Sequence, residues 1–277
     1  MSKTFKNAPE KQWGVKQFIA RHNVQAYPIY NAAGLYSDSY VDYQECFEQG
    51  KFTSKTNAIT CERRDDIYRN MMEYRRVNKL QKKLHIYNCS LEDLKYSEFS
   101  DKYSKNKKID FAFADYCGLL SADIYNWLRN ELFPNLNTGA SVGVTFNVAR
   151  GVITGKKNID LLKWRTAILE DSIGFEKSYT VFGIKQTLDD YYLNSVGRSP
   201  FFKGIPENGA SEVIKNVSWY ASVIYGLISE NWIASSFHSY VYDDTSPMVL
   251  LSAHGLKPRE IDNVASQILK NCDQVLA

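Results

Sequence analysis

The sequence predicts an α/β fold: a mainly parallel seven-stranded sheet with helices on both faces and a C-terminal antiparallel hairpin. Two observations predict this fold. Short apolar runs alternate with polar stretches that are each long enough for a helix, which is typical of βαβ units. A last pair of β-rich segments is joined by a few polar residues, which is typical of a hairpin. The five apolar runs lie at 26–33, 57–62, 84–89, 109–114 and 140–148.

Helices are predicted between the apolar runs and after them. Within 64–83, apolar residues recur at roughly helical spacing. The stretch 121–133 starts with Ser121, a residue type favoured at helix N-caps. Two further helices are predicted over 158–174 and 210–231, without a strand of comparable quality between them.

The hairpin is predicted from two β-rich segments, 236–242 and 247–253. They flank the polar residues 243–246, which form a short connection. A terminal antiparallel pair next to parallel strands excludes a simple flavodoxin-like sheet.

No internal repeat or linker divides the chain into independent domains. The segment 1–23 is predicted as an N-terminal helical extension, which either caps the sheet or contacts a partner. Residues 24–277 are predicted as a single domain with a helical and aromatic insertion around 156–232.

Composition indicates an ordinary globular protein. The chain has 277 residues, of which 44% are hydrophobic, and no apolar window is long enough for a membrane span. The first residues lack an apolar signal core, so the cytoplasm is the expected location. Five cysteines without a CxxC pair favour reduced thiols, and four scattered histidines predict no metal site.

Basic residues are concentrated in two segments, although the formal net charge is only +3. The segments 63–83 and 101–108 are locally basic. They form either a surface that faces a polyanion such as nucleic acid, or solvated helix faces and a lysine-rich loop.

Strand-helix units followed by an antiparallel pair resemble the Rossmann-like fold of class I S-adenosylmethionine-dependent methyltransferases, over about residues 24–256. The residues that end or follow the first four runs lie at positions 34, 62, 90 and 115, with spacings of 28, 28 and 25. The resemblance implies S-adenosylmethionine as cofactor, bound outside the carboxyl ends of the strands.

The first two runs supply cofactor-binding residues that the resemblance implies. At the end of the first run these are Asn31, Ala33 and Gly34, where the family has a glycine-rich turn and this chain has a single glycine. At the end of the second run they are Glu62 and Arg63, with the Glu62 carboxylate accepting hydrogen bonds from both ribose hydroxyls. The alternative for Glu62 is a solvated acid that pairs with a neighbouring arginine.

The third and fourth runs supply the remaining cofactor contacts. The resemblance places Ser90 and Leu91 beside the adenine ring and Asp115 beside the methyl group. The alternative for Ser90 is an ordinary helix start, because Glu92 and Asp93 follow it as acids of a first turn.

The loop Asp115-Tyr116-Cys117-Gly118 is the predicted catalytic loop. The resemblance implies that Asp115 orients an amine or accepts its proton and that Tyr116 shapes the acceptor pocket. The loop lacks the two prolines of methyltransferases that act on exocyclic amino groups. Cys117 is either a nucleophilic thiol or a small apolar filler, and the second interpretation is preferred.

The sequence therefore favours an S-adenosylmethionine-dependent methyltransferase that acts on an amino group of a nucleic acid base. Aromatic and basic residues interleaved over 189–204, together with Arg150, fit contacts with bases and phosphates, or equally packing between helices. Two alternatives stay open: a methyltransferase-like binding or assembly protein without activity, and a small-molecule methyltransferase.

Overall fold

The computed structural model describes residues 9–34, 40–96, 108–116, 118–148, 207–243 and 247–259. Nine strands lie in these segments: β1 (Asn31–Gly34), β2 (Asn57–Cys61), β3 (Leu84–Tyr87), β4 (Ile109–Ala114), β5 (Leu136–Asn147), β6 (Trp232–Ile233), β7 (Ser236–Asp243), β8 (Pro247–His254) and β9 (Lys257–Pro258).

Seven of these strands form one sheet in the order β3-β2-β1-β4-β5-β8-β7. Strands β1 to β5 pair in parallel, and β8 runs antiparallel to both β5 and β7. Strands β6 and β9 form a separate antiparallel pair. The predicted α/β fold class, with its mainly parallel sheet and terminal hairpin, is confirmed.

Five α-helices lie in the described segments: α1 (Pro9–Arg21), α2 (Val41–Glu48), α3 (Asp65–Val77), α4 (Ala122–Trp127) and α5 (Glu207–Asn231). Helix α4 continues into a π-helical turn, Leu128–Leu132, and a 3-10 turn, Phe133–Asn135. As predicted, Ser121 caps α4, because its hydroxyl accepts a hydrogen bond from the Ile124 amide.

The central strands are buried on both faces, which is why they appear in the sequence as continuous apolar runs. All six residues of β4 are buried. Alternate residues enter two apolar clusters on opposite faces, with Ala112 in one and Phe111 and Phe113 in the other. Helices α4 and α5 belong to the first cluster, and α1, α2 and α3 to the second.

The first strand is shorter than the apolar run that predicts it. The run 26–33 joins the sheet only at Asn31. Pro28 lies inside the run, and a proline cannot donate a ladder hydrogen bond, so strand pairing starts after it. The resulting β1 consists of Asn31, Ala32, Ala33 and Gly34.

Helix α1 packs on the sheet and is part of its core. The Phe18 ring is fully buried, with its centroid 4.9 Å from that of Phe111 and 5.5 Å from that of Phe113. Where the helix ends, the Ser141 hydroxyl lies 2.8 Å from Nδ1 of His22 and 3.0 Å from Nδ1 of His254. The described part of the segment 1–23 therefore packs on the sheet.

Helix α5 also belongs to the core, although its sequence lies within the predicted insertion. Tyr220 is fully buried and stacks on Phe146 of β5, with ring centroids 4.9 Å apart. The predicted helix 158–174 lies outside the described residues. No helix in the described part of the chain has the length and apolar character needed to cross a membrane.

Candidate functional site

The strand order reverses at β1, which lies between β2 and β4. In open α/β sheets, ligands bind outside the carboxyl ends of the strands at such a switch point. The register brings the predicted residues to this edge, because Gly34 lies opposite Phe113, and Ala33 opposite Ile59. Cys61 in turn lies opposite Tyr87. The residues that follow β2, β3 and β4 therefore emerge at one side of the sheet.

A narrow apolar pocket lies at the switch point, and it has no room for a water molecule between the residues that line it. Small residues at the ends of β1 and β4 form its floor, and side chains from the segments after β3 and α4 form its walls. The lining residues are Ala33, Gly34, Leu91, Tyr96, Ala112, Phe113, Ala114 and Leu132. Three of the eight predicted cofactor-binding residues, Ala33, Gly34 and Leu91, thus share one cavity.

Glu62 follows β2 at this edge and is half-buried. Its amide donates to the carbonyl of Tyr87 at 3.0 Å, and its Oε1 accepts a hydrogen bond from the Arg64 amide at 2.8 Å. The Arg64 guanidinium instead pairs with Asp66 at 2.9 Å. A carboxylate accepts about four hydrogen bonds, so this anchored group retains acceptor capacity. Arg63 is exposed beside it.

Ser90 and Leu91 have different surroundings. The Ser90 hydroxyl donates to Asp93 Oδ2 at 2.5 Å and precedes the 3-10 turn Leu91–Asp93. This matches the helix-start alternative for Ser90. Leu91 is buried and lines the pocket. Its side chain is therefore in a position compatible with the predicted contact with the adenine ring.

Asn31 does not join the other predicted residues. It begins β1, whereas the pocket lies at the other end of the strand. Its side chain is buried and donates to the Lys108 carbonyl at 3.0 Å, and its amide donates to Asp110 at 2.9 Å. Asn31 therefore lies apart from the residues that line the pocket, at the amino end of β1.

Asp115 lies directly after β4 in a nearly buried ion pair. Lys11 of α1 places its Nζ 2.5 Å from Asp115 Oδ2, and the two side chains are only 9% and 13% exposed. The Thr145 hydroxyl of β5 donates to Asp115 Oδ1 at 2.7 Å. Both oxygens are therefore held in place, and helix α1 covers this part of the site.

A second carboxyl group, Asp42, lies within electrostatic range of this ion pair. It belongs to the first turn of α2 and is buried, and among the described residues its Oδ1 has no hydrogen-bond partner. Burial, and to a smaller extent the nearby Asp115 carboxylate, raise the pKa of Asp42 to about 8, with Lys11 partly opposing the rise. Near neutral pH, much of Asp42 is protonated.

Tyr116 packs back into the loop and against the core. Its ring centroid lies 6.3 Å from that of Phe146. A Cβ at Gly118 would lie 2.6 Å from the Tyr116 ring, so the packing of this ring requires glycine there. The Asn147 amide donates to the Gly118 carbonyl at 2.9 Å, which fastens the loop to β5. Cys117, Arg150 and the aromatic segment 189–204 lie outside the described residues.

Sequence reasoning missed Lys11, Asp42, Thr145 and Tyr96. Thr145 carried a usable signal, since it is a polar residue inside an apolar strand. Lys11 carried none, because a lysine on a helix is normally solvated and only the docking of α1 brings it to Asp115.

The residue types at this edge of the sheet suit the adenosyl part of S-adenosylmethionine. Leu91 and Tyr96 offer apolar walls for a purine, and Glu62 offers a carboxylate for a ribose. The pocket between these residues would have to open before it held such a group, because ligand pockets usually enclose about 300–1,000 Å³. The segments that follow Gly34 and Tyr96 in the sequence, 35–39 and 97–107, lie outside the described residues.

No protein-family model matches the chain, and no curated protein matches its sequence. Among solved structures, it is similar to an O-methyltransferase from Bacillus cereus in complex with SAH, at 11% identity and a TM-score of 0.43, over 87% of this chain and 80% of that one. It is also similar to an RNA methyltransferase from Salinibacter ruber in complex with S-adenosyl-L-homocysteine, at 15% identity and a TM-score of 0.33, over 50% and 78% of the two chains.

Two other matched structures are longer than this chain. The chain spans 40% of EvdMO1, at 8% identity and a TM-score of 0.43, and 52% of the mitomycin 7-O-methyltransferase MmcR, at 7% identity and a TM-score of 0.41. The match covers 87% of this chain in both cases. At these low values the similarities concern the general fold, and the chemistry of the site is inferred from its own residues.

Proposed function

We propose that the protein is an S-adenosylmethionine-dependent methyltransferase. The observation that carries the proposal is the apolar pocket at the strand switch point, with Gly34 among its lining residues and Glu62 directly after β2 at the same side of the sheet. This is the position where open α/β sheets bind nucleotide-like ligands. A small residue at the end of β1 allows close approach of the ligand to the backbone.

Bound S-adenosylmethionine supplies an electrophilic methyl group, and the chain has to align an acceptor with it. Asp115 is the residue for this task, because Lys11 and Thr145 hold both of its oxygens in fixed positions. A fixed carboxylate orients an amine without reorganisation during the reaction. Tyr116 would then form a wall of the acceptor pocket, in a position that the absence of a side chain at Gly118 allows.

Nucleic acid is the acceptor class that we propose. The segment 63–83 contains eight basic and three acidic residues, and most of its basic side chains are exposed. Because basic residues outnumber acidic ones in this segment, its net charge is positive. Two of the acids pair with arginines, Asp66 with Arg64 and Glu73 with Arg76. A polyanion such as RNA or DNA fits such a surface.

A methyl-transfer assay tests the proposal. The protein is incubated with S-adenosylmethionine labelled in its methyl group and with RNA, DNA or a small-molecule extract in separate reactions. We expect label in a nucleic acid fraction. Label only in the small-molecule fraction would contradict the nucleic acid acceptor and leave the methyltransferase proposal intact.

Salt dependence tests the basic surface separately. We expect Lys82→Ala to reduce the slope of log affinity against log salt by about one unit, because each phosphate contact releases counterions. Lys55→Ala is the matched control, since Lys55 is also an exposed lysine but lies outside the basic segment. Filter binding at several salt concentrations measures both variants. Equal slopes would argue against phosphate contact by this segment.

A second function, a binding protein that has kept the fold without the reaction, is favoured by one observation. Asp115 is already paired with Lys11 under helix α1, which limits access to the loop after β4. Binding of S-adenosylmethionine without transfer of label to any fraction would select this alternative.

A further inference from the structure

Two buried histidines meet at one serine where helix α1 ends on the sheet. His22 directly follows α1, His254 ends β8, and Ser141 lies in β5. The Ser141 hydroxyl lies 2.8 Å from Nδ1 of His22 and 3.0 Å from Nδ1 of His254. Nε2 of His22 lies 2.8 Å from the Tyr27 carbonyl oxygen. All three side chains are buried, so these contacts form one continuous chain of hydrogen bonds inside the protein.

The partners in this chain assign a tautomer to each neutral imidazole. The Tyr27 carbonyl can only accept, so Nε2 of His22 holds the ring proton and Nδ1 accepts from the Ser141 hydroxyl. That hydroxyl has a single proton to donate, so Nδ1 of His254 donates to Ser141 Oγ. Nε2 of His254 is then unprotonated, and it is buried without a hydrogen-bond partner among the described residues.

Burial makes protonation of this chain unfavourable. It lowers the pKa of both histidines, and that of His254 falls to about 3. The titratable and charged groups that face the two rings are His238 of β7, Arg21 of α1, Lys51 after α2 and Asp110 of β4. A proton taken up by either ring would therefore add a buried positive charge to a region that already contains two cations.

Asp110 is the one acid among these groups, and its carboxylate is already used. Its Oδ2 accepts hydrogen bonds from the amides of Tyr30 and Asn31, at 2.8 and 2.9 Å. Its Oδ1 accepts a hydrogen bond from the Asn137 side chain at 2.9 Å. The carboxylate therefore cannot turn towards an imidazolium without losing contacts that hold the start of β1.

We propose that His22, Ser141 and His254 form an acid-sensitive latch for helix α1. While both imidazoles are neutral, the hydrogen bonds join the C-terminal end of α1 to β5 and β8. In acid, the released helix binds protons that the docked helix excludes, so protons favour release. Because Lys11 belongs to the same helix, release also uncovers its partner Asp115 in the loop after β4.

The latch acts in a defined pH range. A histidine whose pKa is lowered in the docked state stabilises docking fully above the pKa of a free histidine, near 6.5. This stabilisation is lost as the pH falls, and the equilibrium constant for release rises by at most about tenfold per pH unit for each histidine. Asp42 acts in the opposite direction, because the folded protein retains its proton at a higher pH than the unfolded chain does.

The tautomers give a first test, which leaves the latch itself intact. The four histidine rings of the full-length protein are labelled with a nitrogen isotope and observed by NMR, and variants that lack one histidine each assign the signals. Near neutral pH we expect the proton of His22 on Nε2 and that of His254 on Nδ1. The opposite tautomer at His254, or a ring of the pair that is half-protonated near pH 6.5, would overturn the latch.

Hydrogen exchange measures the release of α1 directly. Exchange rates of the α1 amides in the full-length protein are corrected for the intrinsic effect of pH and converted to an opening constant. We expect this constant to rise at least about tenfold between pH 7.5 and pH 5. Helix α4 is the internal reference, because it packs in the cluster on the other face of the sheet, and its opening constant should change less.

A double variant, His22→Gln with His254→Asn, removes both titrating groups. The glutamine amide can still donate to the Tyr27 carbonyl, and the asparagine amide can still donate to Ser141 Oγ. We expect the opening constant of α1 in this variant no longer to rise in acid. His85→Gln is the matched control, because His85 is also buried but lies in β3, at the far edge of the sheet, and this variant should respond to acid like the wild type.

The exchange measurements can contradict the proposal in two ways. An acid response that persists unchanged in the folded double variant would show that other groups release α1. Loss of the response in His238→Gln alone would assign the effect to His238, which lies beside the latch with its ring centroid 5.8 Å from that of His254. If circular dichroism shows that the double variant is unfolded, His254→Asn alone decides, and a response equal to that of the wild type overturns the latch.

Discussion

The ion pair between Lys11 and Asp115 joins helix α1 to the loop after β4 through two nearly buried charges. Replacement of Lys11 by methionine leaves the Asp115 carboxylate buried with one less partner. Loss of one member of a buried pair costs about 3–5 kcal/mol. We expect Lys11→Met to lower the free energy of unfolding by an amount in this range, as measured by urea denaturation.

Lys16 provides the matched control on the same helix. It pairs with Glu45 at 3.2 Å, but its side chain is 52% exposed. Exposed pairs contribute about 0–1 kcal/mol, so Lys16→Met should change stability little. Equal losses from the two variants would show that the Lys11–Asp115 pair is not buried in solution.

Asp42 makes stability depend on pH. Burial raises its pKa to about 8, whereas an aspartate in an unfolded chain titrates near pH 4. Between these values the folded chain holds a proton that the unfolded chain has released, so the free energy of unfolding falls as pH rises. The contribution is at most about 1.4 kcal/mol per pH unit.

Asp42→Asn removes this titration. We expect the Tm of the variant to rise relative to that of the wild type as pH increases from about 5 to about 8, which thermal melts at several pH values measure. Asp123→Asn is the control, because Asp123 is exposed in the first turn of α4. A Tm difference that stays constant with pH would show that Asp42 is ionised in the folded protein.

At the scale of single residues, the sequence predicted which positions follow the strands but not what surrounds them. Asp115 was found because it directly follows an apolar run. Its partners Lys11 and Thr145 come from a helix and a strand that are distant in sequence. Only packing brings such groups together, so no local pattern could reveal the ion pair.

Helix α1 is the element whose role the sequence left open. Its docking depends on Phe18, which is fully buried against Phe111, Phe113 and His254. Truncation of a buried phenylalanine to alanine costs about 3–5 kcal/mol. We expect Phe18→Ala to lower the free energy of unfolding by this amount, measured by chemical denaturation.

Trp13 of the same helix is the comparison, because 48% of its surface is exposed. Trp13→Ala should cost clearly less than Phe18→Ala, since less apolar surface leaves water when Trp13 packs. A loss below about 1 kcal/mol for Phe18→Ala would contradict the docking of α1 on the sheet.

Elements with strong periodicity were predicted well, and their boundaries less so. The predicted run 109–114 matches β4, because a strand buried on both faces is apolar at every position. The predicted helix 64–83 is shorter in the structure, where α3 ends at Val77 and Lys79 adopts a left-handed conformation with φ of 56°. A positive φ at lysine has no clear sequence signal.

For the whole molecule, the even spacing of positions 34, 62, 90 and 115 corresponds to the units that build the sheet. It did not specify the strand order, which depends on how each crossover places the next strand. The observed order puts β1 between β2 and β4 and creates the switch point. In this arrangement Asn31 lies at the end of β1 away from the pocket.

Calorimetric titration of S-adenosylmethionine into the protein tests the central claim most directly. We expect saturable binding by the wild type, and a Kd at least about tenfold higher for Glu62→Ala, since a hydrogen bond to a charged group is worth about 1.5–3 kcal/mol. Glu73→Ala, which removes an exposed acid of α3, should bind like the wild type. No heat from the wild type, or an unchanged Kd for Glu62→Ala, would contradict the assignment of this edge of the sheet as the cofactor site.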